Sequence, residues 1–302
     1  MTESGRTIGA ENGNGKGKDE LSERFLIEQW RKAPADIEPY GAGKVDLPNG
    51  VSYEYREGKR LTILGKQVMD TCEYPWASET VNFAFDQLTH PNSSQPVRVL
   101  EMGFGLGITA NRVIEQLKGR GLKGEYKVVE LNHQVYLSAL AWKKRKEDEF
   151  EEDDRIQPGS RPNIQIEVIE GEANQEARRL LREIGSSENQ KFDIIISDTF
   201  PLREEDQGIN DIKDVPTVVR LLHSGGVFAF YPYVPTTVSK ADTEDGLTSK
   251  QRSLVGPYFD HISSRYTREQ PINPPKEYKY LFRKSGAVRS LPVAVGVGPK
   301  TT

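Results

Sequence analysis

The order of apolar and polar positions divides the chain into an N-terminal part with short elements and a longer part of alternating strands and helices. Residues 1–20 hold few side chains that a core could bury, which predicts a disordered tail. Apolar residues near helical spacing predict helices, and strict alternation predicts a hairpin that turns near Glu57 and Gly58. The predicted elements are a helix over 21–32, a hairpin over 51–68 and a helix over 77–88. We assign residues 21–90 to an N-terminal lid segment.

From residue 96 onward, short apolar runs alternate with amphipathic segments. Strands are predicted over 97–101, 125–130, 164–169, 192–197 and 227–233, and helices over 107–117, 132–145, 173–184 and 211–222. The charged run 143–155 is typical of a solvated helix end and loop. Residues 224–226 form a C-cap signal for the last helix, and two β-rich segments, 278–283 and 291–297, suit an antiparallel edge. This order predicts an α/β fold with a doubly wound, mostly parallel sheet over residues 91–302.

The first strand of this sheet is followed by a glycine-rich loop. The sequence there is Glu101-Met102-Gly103-Phe104-Gly105-Leu106-Gly107. Ligands of doubly wound sheets bind at the carboxyl ends of the strands, and glycines let the backbone approach them closely. A dinucleotide fingerprint would continue with glycine at position 108, where this chain has Ile108. The loop alone indicates either a nucleotide-like ligand or a tight turn without a ligand.

Two carboxylates beside the loop bear on the charge of the ligand. Glu130 ends the second strand about 20–25 residues after the loop, where an acid can accept hydrogen bonds from ribose hydroxyls. Glu101 directly precedes the loop and suits a cation. S-adenosylmethionine carries a sulfonium and an ammonium group, whereas a pyrophosphate would be repelled by two carboxylates. We therefore predict S-adenosylmethionine as the cofactor, with hydride chemistry on NAD as the alternative.

Composition narrows the class of protein further. The net charge of -4 gives no electrostatic reason to expect nucleic-acid binding, and no apolar run approaches the roughly 18–20 residues that span a bilayer. The single cysteine suits a reducing compartment, and the four histidines lack the spacing of a metal site. The first residues lack the apolar core of a signal peptide. We expect a cytoplasmic protein that can form a homodimer and that binds a small molecule and neither metal, membrane nor nucleic acid.

Several motifs along the chain resemble those of the guanidinoacetate N-methyltransferase family. They are, in chain order, LTILGKQVM at 61–69, EYPW at 73–76, VLEMGFG at 99–105, Glu130, FD at 192–193, DTFPL at 198–202, GGV at 225–227 and PP at 274–275 with Tyr278 and Tyr280. The resemblance covers about residues 61–295. It implies a class I methyltransferase fold, of the Rossmann-like type, with a lid over the site. The same family includes the fungal type of arginine methyltransferase that acts on a protein.

The resemblance also implies roles for individual residues. Glu73 and Asp198 would hold the guanidinium group of the substrate. The expected cofactor contacts are Met69, Glu101, Gly103, Phe104, Gly105, Leu106, Gly107, Ile108, Glu130, Leu131, Asn132, Gly171, Glu172 and Asp198. Thr236 and Thr237 lie beside the position of a Thr-Ser pair that binds the substrate carboxylate in this family, and we expect them to contact the substrate. Phe200 stands where guanidinoacetate enzymes carry tyrosine, as it does in the protein-arginine branch.

A guanidinium group is planar, cationic and a poor nucleophile until it loses a proton. Two carboxylates can grip its N–H fork and direct one nitrogen at the methyl carbon. Our hypothesis is that Asp198 accepts the proton while Glu73 orients the group. We expect methyl transfer to a guanidino nitrogen of L-arginine or guanidinoacetate, with a slight preference for arginine. A protein-arginine methyltransferase is one alternative, and a non-guanidino methyltransferase or a cofactor-binding module is another.

Overall fold

A computed structural model describes most of the chain. The described residues are 15–40, 43–46, 52–55, 58–88, 95–157, 159, 162–202, 213–230, 243–244, 247–268 and 290–299. The predicted substrate contacts Thr236 and Thr237 lie outside these residues, as do the predicted strand at 278–283 and residues 231–233 of the predicted fifth strand.

The N-terminal part contains two helices and five short strands. They are α1 (Gly15–Lys32), β1 (Ala35–Tyr40), β2 (Gly43–Asp46), β3 (Ser52–Tyr55), β4 (Gly58–Ile63), β5 (Lys66–Asp70) and, after a 3-10 turn at Thr71–Glu73, α2 (Tyr74–Asp86). Strand β4 pairs with β1 on one side and β5 on the other, and β2 pairs with β3; all three pairings are antiparallel. This part therefore consists of a small three-stranded sheet and a separate hairpin between two helices.

Helix α1 is longer than the sequence pattern predicts. It begins at Gly15 instead of residue 21, so that residues 15–20 of the predicted disordered tail are helical. Lys16, Lys18 and Glu20 are good helix formers, and they extend a helix that the buried Ile27 and Trp30 already anchor. The prediction followed the apolar residues alone and therefore missed the first turns of the helix.

The predicted hairpin has a different turn and different partners. Strands β3 and β4 flank the predicted turn at 57–58 but do not pair with each other. The hairpin forms between β4 and β5, with Leu64 and Gly65 at its turn at φ values of 53° and 69°. Two successive positive φ values are typical of the tight turns that match strand twist. Alternation located the strands, but it does not specify which strand each one joins.

The second part forms a seven-stranded sheet with helices on both faces. Its elements are β6 (Val97–Met102), α3 (Ile108–Gly119), β7 (Gly124–Glu130), α4 (His133–Ile156), β8 (Ile164–Glu170), α5 (Ala173–Ile184), β9 (Phe192–Ser197), α6 (Val215–Leu221), β10 (Leu222–Phe230), β11 (Thr243–Glu244), β12 (Leu247–Thr248), α7 (Ser249–Val255), β13 (Phe259–Arg268) and β14 (Ser290–Pro299). The order across the sheet is β13-β14-β10-β9-β6-β7-β8. The five strands from β10 to β8 are parallel, and β14 is antiparallel to both of its neighbours. The predicted doubly wound α/β fold is confirmed.

Each face of the sheet packs on its own layer of helices. Val99 on β6 faces a core formed with α2, α3 and α4, and the adjacent Leu100 faces a core formed with α5, α6 and α7. Successive side chains of a strand point to opposite faces, so a strand covered on both sides is apolar throughout.

Among the described helices, none is long and apolar enough to span a membrane.

Two helix boundaries of the second part differ from the prediction. Helix α4 continues to Ile156, because Phe150 is buried and the charges of 143–155 pair along the helix, as in Lys144–Asp148. Helix α6 covers only Val215–Leu221, and the predicted C-cap at 224–226 lies within β10. The pairing register of β10 shifts between Leu222 and Val227, so these glycines serve an irregularity of the strand.

The C-terminal antiparallel region also differs in its partners. Residues 291–297 lie in β14, as predicted, but β14 lies between β10 and β13 and is not an edge strand. Its outer partner is β13, which the sequence pattern did not predict. Alternating polar residues in HISSRYTR gave β13 no continuous apolar signal.

Candidate functional site

The candidate site lies where the order of strands in the sheet reverses. The chain runs from β6 to β7 and β8 on one side of the sheet, and it then crosses back so that β9 lies on the other side of β6. The amide of Gly103 donates to the carbonyl of Val129 at 2.8 Å, and the amide of Asp198 donates to the carbonyl of Met102 at 3.0 Å. The segments that follow β6, β7 and β9 therefore begin side by side, at the position where doubly wound sheets bind ligands.

The glycines after β6 allow close contacts on both sides of the loop. Gly103 has a φ of 95°, and a Cβ there would overlap the carbonyl oxygen of Asp198. Gly105 has a φ of 53°, and a Cβ there would lie 2.6 Å from the sulfur of Met69. Both positions combine a left-handed conformation with a lack of space, so only glycine fits without rearrangement. The loop is a narrow, backbone-lined cradle.

The N-terminal part contributes Met69 to this loop. The amide of Leu106 donates to Met69 Sδ at 3.1 Å, and Met69 is buried at the end of β5. Glu73 follows four residues later, half-buried in the 3-10 turn before α2. The structure therefore places the end of β5, which leads into the turn that carries Glu73, against the loop after β6.

Glu130 braces the loop from the end of β7. Its Oε2 accepts hydrogen bonds from the amides of Phe104 at 3.0 Å and Gly105 at 3.4 Å, and its Oε1 accepts one from the amide of Asn132 at 2.7 Å. Burial raises the pKa of Glu130, while these backbone donors oppose the rise. The predicted ribose acceptor is thus at the site, and it also fixes the conformation of the glycine loop.

Asn132 joins the N-terminal helix to the second part of the protein. Its Nδ2 donates to the carbonyls of Trp30 at 2.8 Å and Ala33 at 2.9 Å. Its Oδ1 caps α4 by accepting from the amides of Gln134 and Val135. Sequence reasoning predicted a cofactor contact here and missed this connection, although an asparagine directly before a helix is an N-cap signal.

Asp198 follows β9 and is partly buried. Burial raises its pKa to about 6. Two residues later, the ring of Phe200 packs against the ring of Trp30, with 5.3 Å between the ring centroids. The end of α1 therefore lies beside the segment that carries Asp198, which suits the predicted lid.

Glu101 lies inside the protein rather than on the surface of the cradle. It is 0% exposed, and its Oε2 accepts a hydrogen bond from the hydroxyl of Tyr126 on β7. Its Oε1 has no hydrogen-bond partner. Sequence reasoning identified Glu101 but not Tyr126, because a tyrosine in an apolar strand is typical of a core.

The remaining predicted cofactor residues lie at the same carboxyl ends of the parallel strands. Ile108 begins α3, Leu131 follows Glu130, and Gly171 donates its amide to the carbonyl of Glu130 at 2.9 Å. Glu172 caps α5, since its Oε2 accepts from the amide of Gln175 at 2.8 Å. Within the described ranges, no three His, Cys, Asp or Glu side chains form a group that could hold a metal ion.

A comparison with known families identifies the class of enzyme. Residues 49–151 match the family model of guanidinoacetate N-methyltransferase. The predicted family resemblance is confirmed. The match covers about a third of the chain, from β3 through α4, and includes Met69, Glu73, the glycine loop and Glu130. Over this region the protein is therefore similar to a methyltransferase family.

Comparisons with individual proteins give only distant similarities. No curated protein matches the sequence. Similar solved structures include MNMC2 from Aquifex aeolicus, 14% identical over 94% of this chain and 78% of that chain, with a TM-score of 0.40. A probable spermidine synthase from Corynebacterium glutamicum ATCC 13032 is 15% identical over 88% and 77% of the two chains, with a TM-score of 0.44. The plantazolicin methyltransferase BpumL in complex with SAH is 15% identical over 76% and 86%, with a TM-score of 0.40.

The residues at the site fit the cofactor that the family uses. Gly103 and Gly105 keep the loop free of side chains, and Asp198 and Met69 pack directly against it. The buried Oε1 of Glu101, which has no partner, and the carboxyl of Glu130 place acceptor oxygens near this loop, and these suit a cationic ligand. The predicted cofactor, S-adenosylmethionine, is confirmed at the level of the family.

Proposed function

We propose that the protein methylates a guanidino nitrogen of a small molecule such as L-arginine or guanidinoacetate. The observation that carries this proposal is the position and chemistry of Asp198. Its backbone amide donates a hydrogen bond to the carbonyl of Met102 at the end of β6, beside the glycine loop. Burial raises the pKa of its carboxyl to about 6. A carboxylate with this pKa is ionised at neutral pH and accepts a proton more readily than an ordinary aspartate.

Asp198 would serve both as an anchor and as a base. Its carboxylate can accept two N–H groups of a planar guanidinium and fix the direction of the third nitrogen. S-adenosylmethionine supplies an activated methyl group. As the guanidino nitrogen accepts the methyl group and the methyl–sulfur bond breaks to leave S-adenosylhomocysteine, Asp198 would take one N–H proton and later release it to solvent. In-line positioning of this kind can contribute up to roughly 7–11 kcal/mol to lowering the barrier.

Glu73 is the proposed second carboxylate. Support comes from the contact of Met69 with Leu106. Met69 lies in β5, directly before the turn at Thr71–Glu73, so this contact holds the start of that turn near the glycine loop. A second negative charge would balance the cation before transfer and orient its N–H fork. We propose Glu73 as an orienting residue and Asp198 as the base.

The aromatic pair of Trp30 and Phe200 bears on the size of the substrate. The two rings pack together two residues after Asp198, and Trp30 is 5% exposed. As a closed wall of the site, this pair would favour a small guanidino compound over a peptide. Phe200 in place of tyrosine is the observation that favours the second candidate, a protein-arginine methyltransferase, which would need this wall to open. Thr236 and Thr237 stay predicted contacts of the substrate carboxylate.

A screen of acceptors tests the proposal. The protein is incubated with S-adenosylmethionine and, separately, L-arginine, guanidinoacetate, other guanidino compounds, arginine-containing peptides and simple amines, and formation of S-adenosylhomocysteine is measured. We expect turnover with a small guanidino compound, and loss of turnover in both D198N and E73Q. Turnover with peptides alone would favour the second candidate. Turnover with amines but no guanidino compound would refute both.

A further inference from the structure

The carboxyl group of Glu101 is enclosed without a balancing charge. Glu101 is 0% exposed and Tyr126, its hydrogen-bond donor, is 1% exposed. The second carboxyl oxygen, Oε1, has no partner in the described part of the protein. A buried carboxylate with an unsatisfied oxygen is unfavourable, because its charge is removed from water without compensation.

The groups that face Glu101 make its charge still less favourable. Strand β7 contributes Tyr126 and Glu130, and the segment after β9 contributes Asp198. The helices packed on this face contribute neutral groups, among them the Trp142 ring against Tyr126 and the Asn111 amide bonded to that ring. Among the residues that the structure describes, no Lys, Arg or His pairs with Glu101.

Burial is the main cause that raises the pKa of Glu101 well above its ordinary range. The negative charges of Asp198 and Glu130 raise this pKa further. The hydrogen bond from Tyr126 acts in the opposite direction, since it stabilises the carboxylate. The partnerless Oε1 and the raised pKa both indicate that no cation balances the charge of Glu101 in the described part of the protein.

We propose that Glu101 carries a proton in the cofactor-free protein and releases it to solvent when a cationic ligand binds at the glycine loop, with Tyr126 as the positioning residue that fixes the carboxyl. The ligand's cation supplies the missing positive charge, and no covalent bond changes apart from the O–H bond of Glu101. The inference rests on the cofactor assignment but not on the guanidino acceptor. Its test uses no acceptor, so a failed acceptor screen would leave it standing.

Calorimetry of cofactor binding provides the first test. Titrations with S-adenosylmethionine in buffers of different ionisation enthalpy, between pH 5.5 and 7.0, give the number of protons released. We expect release of about one proton and a Kd that falls about tenfold per pH unit. The ligand's amino group titrates at a pKa of about 8 and stays protonated over this range. No release, or release that persists in E101Q, would overturn the proposal.

Two variants separate Glu101 from its neighbours. D198N removes the other carboxyl that titrates near this range and should still release the proton. Y126F loses the bond that lowers the pKa of Glu101, so the pH dependence of its Kd should move to higher pH. An unmoved pH profile in Y126F would contradict the role of Tyr126.

A comparison of two ligands identifies the balancing cation. S-adenosylhomocysteine keeps the ammonium group but lacks the sulfonium. Proton release with both ligands assigns the ammonium as the balancing cation, and proton release with S-adenosylmethionine alone assigns the sulfonium.

The stability of the cofactor-free protein provides a second test that needs no ligand. A carboxyl whose pKa is raised by folding stabilises the fold below its unfolded pKa, and this contribution is lost as pH rises through the folded pKa. Urea unfolding from pH 5 to 9 should show this decline in the wild type and a smaller one in E101Q. Equal slopes would overturn the proposal. If E101Q does not fold, Y126F provides the test: its stability must continue to decline to higher pH than in the wild type, because its folded pKa is higher.

Discussion

At the scale of single residues, Asp198 is the group on which the proposed chemistry depends. Because burial raises its pKa to about 6, kcat/KM should rise as pH increases through about 6 and the carboxyl loses its proton. D198N should lower turnover by about 10²- to 10⁴-fold while the Kd for S-adenosylmethionine changes only a few-fold. Steady-state rates from pH 5 to 8 and binding titrations measure both effects.

The matched control for Asp198 is Glu170, a carboxylate at the end of β8 that pairs with His133. E170Q should keep wild-type turnover and the same pH profile. An unchanged rate in D198N, or an equal loss in E170Q, would remove Asp198 from the mechanism.

Gly105 tests the glycine cradle. In G105A the new Cβ would meet Met69 Sδ at 2.6 Å, and the residue would keep a φ of 53°. Gly121 has a similar φ of 63° but nothing within 4 Å, so G121A experiences the backbone strain without the clash. Both variants should lose about 1–2 kcal/mol of stability. Only G105A should also bind S-adenosylmethionine at least about tenfold more weakly by calorimetry; equal affinities would contradict the close approach of Met69.

The site residues that sequence predicts best are those whose signal is local. Gly103 and Gly105 follow a strand directly, and Asp198 ends one, so their place at the sheet edge follows from the strand pattern. Tyr126 and the connection that Asn132 makes to α1 were missed because the partners are distant in the chain: Asn132 contacts Trp30 across 102 residues. Such pairs appear only once the strands are assembled.

At the scale of elements, Asn132 fastens α1 to α4. N132A removes an N-cap and two hydrogen bonds to the end of α1, and should cost about 2–3 kcal/mol. Urea unfolding measures this loss, and limited proteolysis should cleave the segment between α1 and β1 faster than in the wild type. S138A, on the exposed side of the same helix, removes a bond from Ser138 to the Gln134 carbonyl and serves as control. Equal effects of the two variants would contradict the fastening role.

Elements with strong periodicity were predicted well, and those that depend on partners were not. Helix α5 and strand β9 match their predicted bounds, because their apolar positions repeat cleanly. Strands β1, β2 and β13 escaped prediction, because short or polar edge strands carry little apolar signal and form through pairing. The pairing of β14 with both β10 and β13 likewise depends on contacts that no local pattern specifies.

At the scale of the whole molecule, the sequence predicts the architecture and the cofactor from one ordered set of motifs. The reversal of strand order between β6 and β9 brings the glycine loop, Glu130 and Asp198 to one edge, and the N-terminal part adds Met69. The guanidino substrate, a cytoplasmic location and a homodimer stay predictions. A lid formed by residues 21–90 stays one too, with Trp30 against Phe200 as its support.

The central claim is that the methyl group moves to a guanidino nitrogen, and locating that methyl group tests it most directly. The protein is incubated with S-adenosylmethionine carrying a ¹³C-labelled methyl group and with L-arginine or guanidinoacetate, and the product is analysed by NMR and mass spectrometry. We predict label on a guanidino nitrogen, with one S-adenosylhomocysteine formed per methyl transferred and neither product in D198N. Label found only on an amine, carbon or oxygen acceptor, with both guanidino compounds unlabelled, would contradict it.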